Sequence, residues 1–157
     1  MNIKSKFLKN LLFLLTAVLI LGLLWYVCNS GLYMKALYNL DSEKVEIYSG
    51  DRLIATVTDA EQIAKLQESV KFHEWRRRWD KIEGVINCTV VFNEYTAIAF
   101  EPEYPEAMVG RPKAEISPTD ATPDNASGIF RPSLEFLQTI RELMGKEPLE
   151  YFEKNPY

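Results

Sequence analysis

The sequence is poor in the residues that most often carry chemistry. It holds one histidine, His73, two cysteines, Cys28 and Cys88, and seven scattered glycines in 157 residues. Two cysteines build neither a disulfide framework nor the paired spacing of a zinc site. No glycine-rich phosphate loop occurs. A nucleophile needs a base held beside it, usually histidine, and His73 has no sequence partner that would make it one. No catalytic residue, cofactor or metal set is expected, and the balance is against an enzyme.

Acidic residues are missing from the N-terminal quarter. None occurs before Asp41, whereas Lys4, Lys6 and Lys9 lead in. Between Asn10 and Met34 no charge of either sign appears, and the run is rich in leucine. About 20 apolar residues span the hydrocarbon as a helix. Leu11 to Val27 with its flanks meets that length. Trp25 and Tyr26 lie near its far end, where amphipathic rings favour the headgroup level. A secretory signal has a shorter apolar core and a small-residue cleavage site. Cys28-Asn29-Ser30 before Gly31 is a poor match to one, and the residues before Cys28 are too bulky for a lipoprotein signal. A retained single-pass anchor is expected, with a cleaved secreted form as the alternative. The lysine asymmetry puts the N-terminus in the cytoplasm and the domain outside.

The chain divides accordingly. Residues 1–35 are the lysine-led signal-anchor and 36–43 a linker. Residues 44–145 form an extracytoplasmic domain, and 146–157 a tail without a clear period. Beyond residue 35 there are 14 basic and 22 acidic side chains, a net charge of -8. A nucleic-acid-binding domain shows the opposite sign, so nucleic acid is not an expected partner. The sequons at Asn87 and Asn125 matter only in a host that glycosylates.

Within the domain, Val45 and Ile47 share one face of a run, and Leu53, Ala55 and Val57 share one face of the next. Gly50 supplies turn chemistry between them, which predicts a hairpin. Thr58 to Glu61 fits a capping box. Ile63, Leu66 and Val70 then repeat at helical spacing, with Gln62, Lys65 and Glu68 facing away. The β-branched and aromatic run from Val85 to Phe100 predicts strands, folded into a second hairpin at Asn93-Glu94. Six of the eight prolines fall within 101–132. That excludes a central strand throughout, since proline donates no ladder bond. A broken edge strand is expected near 107–116, then an exposed loop, then a return to the sheet at 128–130. The segment 133–145 predicts a closing helix, capped by Ser133, with Leu134, Leu137, Ile140 and Met144 on one face and Gly145 ending it. The class is α+β: an N-terminal transmembrane helix, then a mainly antiparallel sheet with two helices packed on one face.

The stretch TVTDAEQIAKLQ, following a hairpin, resembles the start of small extracytoplasmic domains in uncharacterised bacterial membrane proteins and lipoproteins. Those run strand, strand, helix with T-D-x-x-x-I, then further strands. The resemblance covers roughly residues 44–100. It implies a bacterial, membrane-anchored domain and carries no activity.

The candidate binding stretch is Trp75, Arg76, Arg77, Arg78 and Trp79. In a helix, Trp75 and Trp79 stack on one side. In an extended chain, Trp75, Arg77 and Trp79 share one face, while Arg76 and Arg78 share the other. Charged side chains are mostly exposed, so the plainer reading has tryptophans at the core edge and wet arginines. The sharper reading is a recognition patch. The densest acidic group is Glu101, Glu103 and Glu106, read as a solvated loop without the oxygen spacing of a calcium site. The three glutamates are expected to neutralise Arg76–Arg78 at least in part.

The function expected is that of an interaction or accessory module. It is held in the membrane through Leu11–Val27, with another protein or a second copy as partner. A small carboxylate-dependent enzyme and a sensor or immunity-type binder using the proline-rich loop are the alternatives.

Overall fold

The computed structural model describes residues 3–79, 86–101, 104–113 and 122–147. Expectations that rest on Val85, Glu103, residues 114–121 and most of the tail lie outside them. The chain opens with α1 (Ile3–Asn29), a 27-residue helix. Within Leu8–Asn29 an 18-residue window has a mean hydropathy of 2.6, and none of that window is buried against the rest of the protein. By length and composition the helix is long and apolar enough to cross a membrane.

A 3-10 turn (Gly31–Tyr33) and a short helix α2 (Met34–Leu37) lead into β1 (Val45–Ser49) and β2 (Arg52–Val57). Gly50 turns this hairpin with φ 60°, the left-handed conformation glycine takes without strain. Then come α3 (Ala60–Val70), a 3-10 turn (Phe72–Glu74) and β3 (Arg76–Arg77). The strands β4 (Cys88–Asn93), β5 (Thr96–Glu101) and β6 (Glu106–Gly110) follow. Among the described residues the last elements are β7 (Phe130–Arg131) and α4 (Leu134–Leu143). The seven strands form one sheet in the order β2-β1-β4-β5-β6-β7-β3, and all its pairs are antiparallel.

The α+β class is as the sequence indicates, with local differences. The cap of α3 is Asp59, whose carboxylate accepts from Gln62 N at 2.9 Å, and not Thr58. Either residue satisfies an orphan amide of the first turn, and the backbone geometry decides between them. Ser133 caps α4 as expected, accepting from Phe136 N at 3.4 Å. The strand β6 is no broken edge: it is buried throughout and lies between β5 and β7. Its prolines stand outside it, at 105 and 112, so no ladder donor is lost. The described end of the proline-rich loop folds back on β6. Arg111 and Asp124 pair as a bridge, and Ser127 N donates to Val109 O at 2.9 Å.

Side-chain alternation sorts the sheet into two faces. Val45, Ile47, Val90, Phe92, Ile98, Phe100, Ala107, Val109 and Phe130 point to the face that α3 and α4 cover. There they meet Ile63, Leu66, Val70, Phe136, Leu137 and Ile140. Cys88 belongs to this core, and burial pushes its thiol pKa up, as suits a small hydrophobe. A smaller cluster of Ile86, Ala99 and Met108, with Ala126 and Ile129, occupies the opposite face under the returning loop.

Leu66 is fully buried at the centre of the main core. Leu66→Ala is expected to cost about 2–5 kcal/mol, the range for emptying such a site. Its neighbour Lys65 is exposed and pairs with exposed Glu142 at 2.9 Å, so Lys65→Ala should cost about 0–1 kcal/mol. Denaturant titration of the two variants checks this, and equal midpoints would refute the assigned helix face.

Candidate functional site

The arginine stretch is extended. Trp75 ends the 3-10 turn with φ -66° and ψ 141°, and β3 follows. Arg77 lies opposite Phe130 in register and so shares the helix-covered face with Trp75. Arg76 and Arg78 fall on the other face, as strand alternation requires. The helical stacking of Trp75 on Trp79 is therefore not adopted.

The two tryptophans have opposite fates. Trp75 is fully buried, with ring centroids 5.1 Å from Phe72, 6.1 Å from Phe136 and 6.4 Å from Phe130. Its indole N–H donates to Val70 O at 2.5 Å, so no polar group is orphaned in the core. Trp79 is 73% exposed, and its indole N–H donates to Asn29 Oδ1 at 2.8 Å. Asn29 is the last residue of α1.

That contact belongs to a larger junction. Ser30 pairs with Arg76 as an antiparallel bridge, and Gly31 N donates to Trp75 O at 3.0 Å. A Cβ on Gly31 would stand 2.2 Å from Phe72 O and 2.7 Å from Trp75 Cβ. No other residue fits that approach without displacing backbone. Ser30 and Met34 are buried too, and Tyr33 packs its ring 6.3 Å from Phe130. Burial raises the Tyr33 pKa, and the nearby Arg77 charge opposes the rise. The exit of the long helix is thus set directly into the domain. Residues 36–43 are also held: Gln67 donates to Leu40 O at 2.8 Å, and Asn93 to Asn39 O at 2.8 Å.

The three arginines have separate environments. Arg78 donates to Glu106 Oε1 at 2.8 Å, and both side chains are nearly out of solvent, at 12% and 0% exposed. The expected neutralisation of the arginines by the acidic group holds for this pair. Arg77 lies over the Trp79 ring, 4.5 Å from its centroid, a cation–π distance. Arg76 is exposed, and one guanidinium nitrogen donates to His73 O and Trp75 O, each at 3.0 Å.

The acidic group is not a solvated loop in its described part. Glu101 ends β5 and Glu106 begins β6; they are register partners, and both are buried. Among the described residues no cluster of three or more metal-ligating side chains occurs. His73 is exposed beside Glu74, 3.7 Å away, and lies outside the arginine–glutamate pair. Sequence reasoning found the stretch 75–79. It missed Asn29, Ser30, Gly31 and Arg131, because their partners lie more than 40 residues away along the chain and only the tertiary fold brings them together.

Two substitutions probe the junction. Gly31→Val forces a side chain into backbone and should cost about 1–3 kcal/mol or more, as overpacking does. Trp79→Ala removes one exposed hydrogen bond and the exposed Arg77 contact and should cost about 1 kcal/mol. Thermal unfolding of the full chain in detergent should therefore rank Gly31→Val well below Trp79→Ala, and the reverse order would show that the seat is not tight. At the buried pair, Glu106→Ala removes the carboxylate that Arg78 donates to at 2.8 Å and should destabilise by about 3–5 kcal/mol. The double variant Arg78→Met with Glu106→Leu should recover most of that loss, as read by the same unfolding measurement. No protein-family model, no curated protein and no solved structure matches the chain.

Proposed function

We propose that the chain is a single-pass membrane protein, with its α+β domain on the extracytoplasmic side acting as an interaction or accessory module. The observation that carries this reading is the buried junction at Ser30 and Gly31. A removable signal leaves its mature start accessible. Cleavage after Ser30 would instead place a charged amino terminus at Gly31 N, which is buried and donates to Trp75 O. Burying a charge without a counter-charge is costly. It would also remove Asn29 and Ser30, which hold Trp79 and Arg76. The apolar helix thus fits a permanent part of the fold. The three lysines before it favour a cytoplasmic N-terminus.

The same geometry weighs against a carboxylate-dependent enzyme. The best-placed carboxylates, Glu101 and Glu106, are buried, and Glu106 holds Arg78. A general base must reach a substrate proton within hydrogen-bond range, and Glu106 presents no surface to one. A recognition role uses what the domain does expose, the arginine and tryptophan surface at the helix exit.

A reporter active only outside the cytoplasm, fused after Tyr157, should be active, and the mature chain should keep its full mass. A silent reporter would refute the orientation. A product shortened by about 30 residues, the length of a signal segment, would refute the anchor.

A further inference from the structure

We infer that Arg76 and Arg131 form a site for the phosphate of an anionic lipid headgroup in the leaflet where α1 emerges. This rests on the membrane reading above.

The first observation is a like-charge pair. Arg76 and Arg131 are direct register partners across β3 and β7, and both are exposed. Like charges directly opposite on a sheet destabilise it. Arg78, on the same face, has its charge met by Glu106. Among the described residues neither Arg76 nor Arg131 forms an ion pair. An anion between the two guanidinium groups would turn the repulsion into attraction.

The second observation is height. The 22 residues of Leu8–Asn29 extend about 33 Å at 1.5 Å per residue. The hydrocarbon core is about 30 Å thick. Asn29 and Ser30 therefore fall at the boundary between tails and headgroups. Ser30 bridges to Arg76, and Arg76 pairs with Arg131. Adjacent strands lie about 4.8 Å apart, so both arginines stand within side-chain reach of the headgroup layer.

The third observation is the aromatic surround. Trp25 and Tyr26 are 70% and 51% exposed near the end of α1, and Trp79 is bonded to Asn29 beside them. Such rings settle at headgroup level. Arg76 is also pre-oriented: the nitrogen bonded to His73 O and Trp75 O fixes its plane. Its remaining N–H groups stay available for the two-pronged contact that phosphate favours.

The test uses the full chain in lipid nanodiscs of phosphatidylcholine mixed with phosphatidylglycerol. After extraction into mild detergent, native mass spectrometry reads which lipid stays bound. The parent should retain phosphatidylglycerol over phosphatidylcholine on the order of tenfold, as two arginines near a surface allow. The double variant R76Q/R131Q should retain both alike while still unfolding in one cooperative transition. R52Q is the control, because Arg52 lies in β2 at the far edge of the sheet; it should keep the parent's preference. No preference in the parent, or one that survives in R76Q/R131Q, overturns the site. So would selective binding of a polyglutamate peptide lost in R76Q/R131Q while the lipid preference stays, since the partner would then be an acidic protein. Alkaline carbonate washing of membranes separates the two readings. Release of the parent refutes the anchor and this site together, whereas retention without lipid preference refutes the site alone.

Discussion

The burial of Trp75 is the constraint on which the remaining structure depends. Its ring packs on Phe72, Phe130 and Phe136, which belong to the turn after α3, to β7 and to α4. Its indole closes the end of α3 through Val70 O, and its carbonyl receives Gly31 from the end of α1. One residue thus joins both core helices, the outer part of the sheet and the long apolar helix. Large aromatic side chains dominate core energetics because they bury the most surface. Around so fixed a point, the residues on either side have little freedom. Arg76 and Arg77 must continue as a strand beside β7, and Ser30 and Gly31 must lie against them.

This explains how an arginine-rich stretch can be structural and available at once. Alternation along β3 sends successive residues to different environments. Arg78 is drawn inward by a carboxylate, Arg77 rests on an indole, and Arg76 stays in solvent. The plainer sequence reading holds for Trp75, which is core, and for the exposure of Arg76. It does not describe Arg78, which is nearly out of solvent and paired with the buried Glu106. The acidic and basic segments meet because β6 and β3 both flank β7.

Direct seating of the domain on the helix has a mechanical consequence. A flexible linker would let the domain rotate freely above a membrane. Here a backbone bridge, a glycine seat and a side-chain bond all cross the junction. Residues 36–43 carry hydrogen bonds to α3 and β4 and do not act as a tether. In a membrane, the same face of the domain would meet the headgroups at all times. A recognition surface there needs no further orienting step, which lowers the ordering cost of binding.

Much was legible in the sequence by itself. The uncharged leucine-rich run, the two hairpins, the helix at 60–70 and the Ser133-capped helix all follow from local periodicity and turn chemistry, which act within a few residues. The stretch 75–79 was recognisable as unusual from composition. Tertiary structure alone decided the rest. It made β6 an interior strand, because burial and the proline-free span Glu106–Gly110 outweighed the prolines flanking it. It gave Glu106 to Arg78, placed Arg131 opposite Arg76, and set Gly31 under Trp75. These are pairings between residues distant along the chain. They depend on strand order and register, which no local pattern encodes, and they are chosen only when the apolar faces close together and exclude the alternatives.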